Sequence, residues 1–158
     1  MSEFSLSSPD FEEGGEIPSY FGYKHGNNQP IIHFQNTPDD AKCVALIMDD
    51  PDAMGAVGKV WVHWLFYKNS KKVPLMYGVE IISPDSLFPQ NVIYGKTDFG
   101  EIGYGGPAPP DKRHTYIFKA YALDTKLDLK EGYSKQELED AMKGHILAEA
   151  KLTGTFAP

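Results

Sequence analysis

Met48–Tyr67, MDDPDAMGAVGKVWVHWLFY, is the stretch from which the fold is read. It leaves an apolar run through Asp49-Asp50-Pro51-Asp52, crosses Ala53–Lys59, and re-enters a second apolar run carrying His63. Gly55 and Gly58 make Ala53–Lys59 read as a loop. The apolar residues of Val60–Tyr67 are continuous, as in a strand buried on both faces. Alternation predicts Trp61, His63, Leu65 and Tyr67 on one face and Val60, Val62, Trp64 and Phe66 on the other. One imidazole therefore stands in an aromatic wall near a turn of carboxylates. A buried histidine is more often a satisfied structural group than a functional one, so His63 alone decides nothing.

Upstream, Cys43–Asp49 has no helical period and reads as a strand. Pro51 cannot donate to a sheet ladder and disfavours helix at Asp50, so that strand ends at the acidic corner. Residues 1–30 are broken by Pro9, Gly14-Gly15, Pro18, Gly22, Gly26, Asn27-Asn28 and Pro30 into short edge segments such as Phe4–Leu6 and Ile17–Tyr23. Ile31–Phe34 is a short strand and Thr37–Asp40 a turn. Downstream, Asn69–Pro74 reads as a polar turn, Leu75–Ile82 as a strand or irregular edge, and Ser83–Phe99 as loop. Gly100–Pro110, GEIGYGGPAPP, is a rigid irregular loop with exposed backbone N–H groups. His114–Leu123 is a strand with His114, Tyr116, Phe118 and Ala120 on one face and Thr115, Ile117, Lys119 and Tyr121 on the other. Ser134 and Glu137 form a capping-box pattern ahead of Leu138, Ala141 and Met142 at helical spacing. From Ala148 to Thr153 the period returns to two, as in a half-solvated strand. The pattern predicts one mostly β domain over residues 1–158, a β-sandwich with a peripheral C-terminal helix.

At 158 residues, 41% hydrophobic and 23% charged, this is an ordinary globular composition. The net charge of −7, with no basic cluster denser than Lys71-Lys72 or Lys112-Arg113, argues against nucleic acid and a polybasic membrane patch. The single cysteine, Cys43, lies in an apolar run and suits a reducing cytoplasm. No signal-peptide pattern opens the chain, and no apolar run approaches the roughly 18 residues of a membrane span.

Three stretches combine polar groups with rigid context: Asp49–Asp52, Trp61–His63 and Gly103–Tyr116. If their strands are neighbours, Asp50, His63, His114 and Tyr116 converge. Two imidazoles, a phenol and loop N–H groups are donors for an anionic oxygen. A carboxylate beside the imidazoles would raise their pKa and fix their tautomers. The same inventory admits a metal site of two His and one Asp, though no HExxH or His-x-His spacing supports it. It admits a hydrolase, though G-x-S-x-G is absent and Cys43 is in an apolar strand. Asp50 and Asp52 are a conceivable glycosidase pair, yet adjacent turn acids are usually turn ligands. The Gly-rich loop matches neither G-x-G-x-x-G nor the P-loop. His25 and His33 stand in turn-rich or edge contexts, and His145 reads as a helix-end residue.

In these residues the chain resembles the phosphatidylethanolamine-binding protein family, also called Raf kinase inhibitor-like, and most of all its small bacterial and archaeal branch. The resemblance rests on Asp50-Pro51-Asp52-Ala53, Trp61 with Val62-His63-Trp64, Thr97-Asp98-Phe99-Gly100 and Gly103–Pro107. It continues through Pro109-Pro110, His114–Phe118 and Gly144–Ala150. It implies a sandwich of two antiparallel sheets and a small pocket for phosphate-like anions and phospholipid head groups. That pocket would be lined by Asp50, Trp61, His63, Gly106, Pro107, Pro109, His114 and Tyr116, with Asp52 supporting the turn. Asp50 would orient an imidazole and meet a ligand ammonium. The implied protein is a non-enzymatic binder of a small phosphorylated or carboxylate ligand that uses no cofactor and no metal. An inhibitor of a kinase or protease is the alternative, and a weak hydrolase with His63 as base and Asp50 as its orienter is a third. Small members are often dimeric, so a homodimer is admitted, although the residues mark no interface. Met54 stands where the family usually has Pro, which would loosen the turn. Asp111-Lys112-Arg113 is shorter and more charged than the usual loop, and Lys112 and Arg113 are candidates for positive potential at the mouth. No counterpart of the eukaryotic C-terminal covering helix is evident.

Overall fold

A computed structural model describes residues 3–69, 79–82 and 91–158. The expected turn at residues 70–74, the start of the Leu75–Ile82 segment and the loop at 83–90 lie outside them. The strands are β1 (Ser5–Ser7), β2 (Gly15–Glu16), β3 (Ile32–Gln35), β4 (Cys43–Asp50), β5 (Trp61–Asn69), β6 (Val79–Ile82), β7 (Val92–Tyr94), β8 (His114–Leu123) and β9 (Ile146–Phe156). Two α-helices accompany them among the described residues, α1 (Ala53–Val57) and α2 (Lys135–Met142). The larger sheet runs β2-β9-β8-β4-β5-β7 and the smaller β1-β3-β6. All pairings are antiparallel except the short β2–β9 contact, which is parallel. The mostly β, two-sheet architecture is thus as expected.

β4 is buried at every residue, which explains its unbroken apolar run. Val44, Leu46 and Met48 enter the core between the sheets with Phe34, Trp64, Phe66 and Phe118. Cys43, Ala45 and Ile47 face the other way and pack with Leu65, Tyr67, Leu138 and Met142. The second face of the large sheet is therefore covered by α2. Leu138, fully buried there, contributes about 1.5–3 kcal/mol. The capping box starts α2: Ser134 Oγ accepts from the Glu137 N–H at 3.1 Å, and Glu137 accepts from the Ser134 N–H.

Four local expectations are corrected. Ala53–Val57 is one helical turn and a half, not a loop; it ends on Gly58, whose φ of 77° supplies the left-handed cap. Met54 is an exposed residue of that helix. Ser19–Phe21 is a 3-10 turn within the segment read as an edge strand. Val92–Tyr94 pairs with β5, inside a stretch read as loop.

The fourth concerns His63. β4 and β5 pair Met48 with Trp64 but Asp49 with Val62, so His63 is the extra residue of a β-bulge. The bulge breaks strict alternation. Leu65 and Tyr67 face α2, whereas the His63 ring turns to Tyr116, on the side of the inter-sheet core. One inserted residue thus re-aims the imidazole.

Candidate functional site

The ends of β4, β5 and β8 meet at one edge of the inter-sheet core, beside the Gly- and Pro-rich loop. Asp50 closes β4 opposite Trp61 of β5, and His114 opens β8. They line a cavity of about 260 Å³ with His63, Tyr116, Phe99 and Tyr23, while Lys24, Ala53, Ala56, Val57, Ala108 and Pro110 complete it. The predicted convergence of Asp50, His63, His114 and Tyr116 is therefore present, together with Trp61 from the lining that the resemblance implied.

The turn after β4 is tied by its own acids. Asp50 Oδ1 accepts from the Asp52 N–H at 2.9 Å, and Asp52 Oδ2 accepts from the Thr115 N–H at 2.8 Å. Asp52 thus joins the turn to β8. The remaining Asp50 oxygen lies 2.6 Å from His114 Nδ1, and Asp111 Oδ1 lies 2.7 Å from His114 Nε2. An imidazole with a carboxylate on each nitrogen is an imidazolium donating twice. Burial opposes that charge, but the hydrogen bonds and charges of Asp50 and Asp111 outweigh it and raise the His114 pKa. Burial raises the Asp50 pKa, against the lowering by His114.

His63 is held differently. It is 1% exposed, and its Nδ1–H donates to the Gly105 carbonyl at 2.6 Å, while its own carbonyl accepts from the Gly105 N–H at 2.8 Å. Desolvation lowers its pKa to about 4, although the Gly105 and Gly106 carbonyls facing the ring favour the proton. His63 is neutral at pH 7, opposite to the raised pKa expected, because burial strips the imidazolium of solvent and no carboxylate is hydrogen-bonded to the ring to offset that loss. Asp50 orients His114 instead. A hydrolase with Asp50 as the orienter of His63 is not what these atoms form.

The aromatic wall is set by Phe99. Its ring stacks on Tyr23 at 3.9 Å and meets the rings of Trp61 at 5.4 Å and His63 at 5.5 Å edge-on. The Tyr23 hydroxyl is bonded to Glu101. Asp98 anchors this corner by accepting from the Val62 N–H at 2.7 Å and pairing with Lys59 at 2.9 Å.

The loop does not offer the row of N–H groups expected. Gly103 N–H goes to the Gly95 carbonyl, Gly105 N–H to His63, and Gly106 N–H to Asn27 Oδ1 at 2.7 Å. Gly106, Pro107 and Pro109 are buried supports and do not line the cavity; Ala108 and Pro110 do. A Cβ on Gly106 would lie 1.9 Å from the Phe21 carbonyl oxygen, and the Pro107 carbonyl accepts from the Tyr23 N–H at 2.9 Å. Those residues dock the loop on the 21–27 segment. Arg113 pairs with Glu16 at 3.1 Å and Thr155 at 3.3 Å, away from the mouth, where Lys24 stands.

Two donors of the lining lack well-placed acceptors among the described residues: the Tyr116 hydroxyl and the indole N–H of Trp61. The Tyr116 hydroxyl lies near Asp50 and the Ala108 N–H without closing an aligned bond to either, and burial with the Asp50 charge pushes its pKa up. Among the described residues no group of His, Cys, Asp and Glu is arranged to hold a metal ion. Likewise no described helix is long and apolar enough to cross a membrane.

Tyr23, Phe99 and Asp111 were not among the predicted site residues. Phe99 sits in a quoted motif and Asp111 three residues before His114, so both had a local signal. Tyr23 had none, because 40 residues separate it from His63 and only the docked loop brings it in.

Residues 7–157 match the family model described as phosphatidylethanolamine-binding protein. A UPF0098 protein of Methanothermobacter thermautotrophicus is 41% identical over 153 residues, 96% of this chain and 97% of that one. One of Chlamydia muridarum is 40% identical, with 96% and 97% coverage. A crystal structure of a putative phosphatidylethanolamine-binding protein homologue from Chlamydia trachomatis superposes with a TM-score of 0.83 at 35% identity, covering 98% of this chain and 97% of that one. YbcL of E. coli, described as a member of the mammalian family, gives 0.83 at 25% identity and 98% coverage of both chains. By this match along nearly its whole length, the chain belongs to the phosphatidylethanolamine-binding protein family.

Proposed function

We propose that the protein binds a small oxyanion, a phosphomonoester or head-group phosphate, without turning it over. The reading rests on one observation. Two buried donors, Tyr116 Oη and Trp61 Nε1, belong to the wall of one cavity and lack aligned protein acceptors, and an acceptor-rich ligand satisfies them. The charge balance supports it. The His114 imidazolium, shared by Asp50 and Asp111, offsets one of those two negative charges, and Lys24 in the lining offsets the other. Ala53, Ala56 and Val57 of α1 give the same mouth an apolar side that accommodates the non-ionic part of an ester. Binding is favoured over turnover because a histidine with a pKa near 4 is a weak base at neutral pH. The single buried cysteine fits a cytoplasmic setting.

The test is an NMR titration with inorganic phosphate and phosphoethanolamine near neutral pH, following the imidazoles of His63 and His114. Saturable shifts at both are expected, with His25, His33 and His145 silent. Tyr116→Phe is expected to weaken binding about tenfold, the loss of one hydrogen bond to a charged group. Absence of shifts at millimolar ligand overturns the reading.

A further inference from the structure

The cavity holds acceptors as well as donors, and the acceptors restrict which oxyanion it takes. His63 Nδ1 meets the Gly105 carbonyl at 2.6 Å. A carbonyl only accepts, so the proton of the neutral ring sits on Nδ1 and Nε2 carries a bare lone pair. The two ring nitrogens point away from each other. Gly105 is outside the lining and His63 belongs to it, which leaves the Nε2 edge of the ring to border the cavity. Among the described residues no group donates to Nε2. Asp50 is the second acceptor of the lining, its oxygens already held by the Asp52 N–H and His114. These two share the cavity with the two donors in need of acceptors, the Tyr116 hydroxyl and the Trp61 indole N–H.

We propose that the cavity selects an oxyanion that still carries a proton, a phosphomonoester in its monoanionic form, and that His63 Nε2 accepts the hydrogen bond from its P–OH group. The proposal rests on the oxyanion reading above and narrows it. A fully ionised dianion has acceptor oxygens alone. It satisfies Tyr116 and Trp61 but sets a lone pair against His63 Nε2 and a second negative charge against Asp50. Placing the proton on His63 instead requires an imidazolium where burial holds the pKa at about 4. A P–OH group meets the ring without either penalty. A phosphodiester is also a monoanion, yet it has no proton to give. The phosphate of an intact glycerophospholipid is such a diester, so the ligand class is a free phosphomonoester and not a diester lipid. His63 thereby sets specificity for the protonation state of the ligand.

Methyl phosphate and dimethyl phosphate test this, by NMR titration of the wild-type protein from pH 5.5 to 8. At pH 5.5 both are predominantly monoanions, and methyl phosphate alone carries a P–OH. It is expected to bind about tenfold tighter there, the size of one hydrogen bond to a buried acceptor. Above its second pKa of about 6 its affinity is expected to fall about tenfold per pH unit as the competent monoanion is depleted, so the order reverses by pH 8. The titratable and charged groups around His63 are Asp50, His114, Tyr116, Tyr23 and Lys24 in the lining, Asp111 on His114, and Asp49 and Asp98, whose charges also reach the ring. They act on both ligands, so the ratio of the two affinities isolates the proton of the ligand. In the methyl phosphate complex the nitrogen-15 resonance of His63 Nε2 is expected to stay in the range of an unprotonated ring nitrogen. Equal affinities at pH 5.5, a ratio that does not change with pH, or a His63 that becomes imidazolium in the complex overturns the proposal and leaves the oxyanion reading standing. Binding of neither ligand overturns both.

Discussion

Asp49 and Asp50 are neighbours in sequence and lie on opposite faces of the large sheet. Asp50 faces the inter-sheet side, where its partner is the fully buried His114. Asp49 faces the α2 side, where Lys135 reaches it at 3.0 Å and Lys119 stands at 3.9 Å. Both acids are almost fully buried, with exposures of 2% and 3%. Their partners are not alike. The lysine side chains are 27% and 39% exposed and keep their ammonium groups near water. His114 has no such exit. The cavity side is therefore a chain of charges running from buried Asp50 through buried His114 to Asp111, whose side chain is 42% exposed. The α2 side is an open groove of about 620 Å³, in which Lys59, Lys96 and Lys135 mix with Asp98, Glu137 and Glu139. A buried acid is informative about a site only when its partner is buried as well.

The strongest way to break this contrast is to remove each acid in turn. Asp50→Ala leaves the His114 charge facing only Asp111 and is expected to cost about 3–5 kcal/mol in urea unfolding. Asp49→Ala releases lysines that reach solvent and is expected to cost about 1 kcal/mol. Equal losses would erase the distinction.

The two histidines sharpen it through pH. The His63 pKa falls to about 4 on folding, from the ordinary 6.5. Its contribution is complete above pH 6.5 and is lost as the pH falls through about 4, amounting to about 3 kcal/mol. The His114 pKa is raised. Its contribution is complete below 6.5 and is lost as the pH rises through the higher folded value. Asp50, raised by burial, opposes the acid slope, so the comparison is with variants. His63→Gln is expected to flatten the acid limb of stability against pH, and His114→Gln the alkaline limb. Coincident profiles for wild type and His63→Gln between pH 4 and 6.5 would refute the neutral assignment.

The smallest effect is on the α2 side. Ser134→Ala removes one half of the capping box and is expected to lower stability by about 1 kcal/mol, read as a shift in the urea midpoint. It leaves phosphate binding at the cavity unchanged, because α2 lies across the sheet from it.

Much of the architecture was legible because it is local. β4 and β8 followed from period-two or unbroken apolar runs, α2 from its capping box, and the break after Asp50 from Pro51. α1 was missed because Gly55 and Gly58 read as loop residues, whereas Gly58 only caps the turn and Gly55 is tolerated within it. β7 was missed because three half-buried residues have too short a period to register. Asp50, Trp61, His63, His114 and Tyr116 were found as a set, and Asp50 does orient an imidazole as expected, but that imidazole is His114, while His63 meets the Gly105 carbonyl. Proximity in a pattern does not say which acceptor a ring nitrogen meets.

The amino-acid sequence by itself determined the strands that carry the site, the helix that covers the second face, and the inventory of two imidazoles, acids and a phenol. Backbone preference and side-chain period act over a few residues, and these features need nothing more. Only the tertiary structure decided that a bulge turns His63 toward the cavity, that the Gly105 carbonyl and not Asp50 accepts a hydrogen bond from its ring N–H, and that Asp111 closes on His114. Each of these depends on strand register and loop docking between residues distant in sequence, set by the burial of the whole core and not by any local pattern.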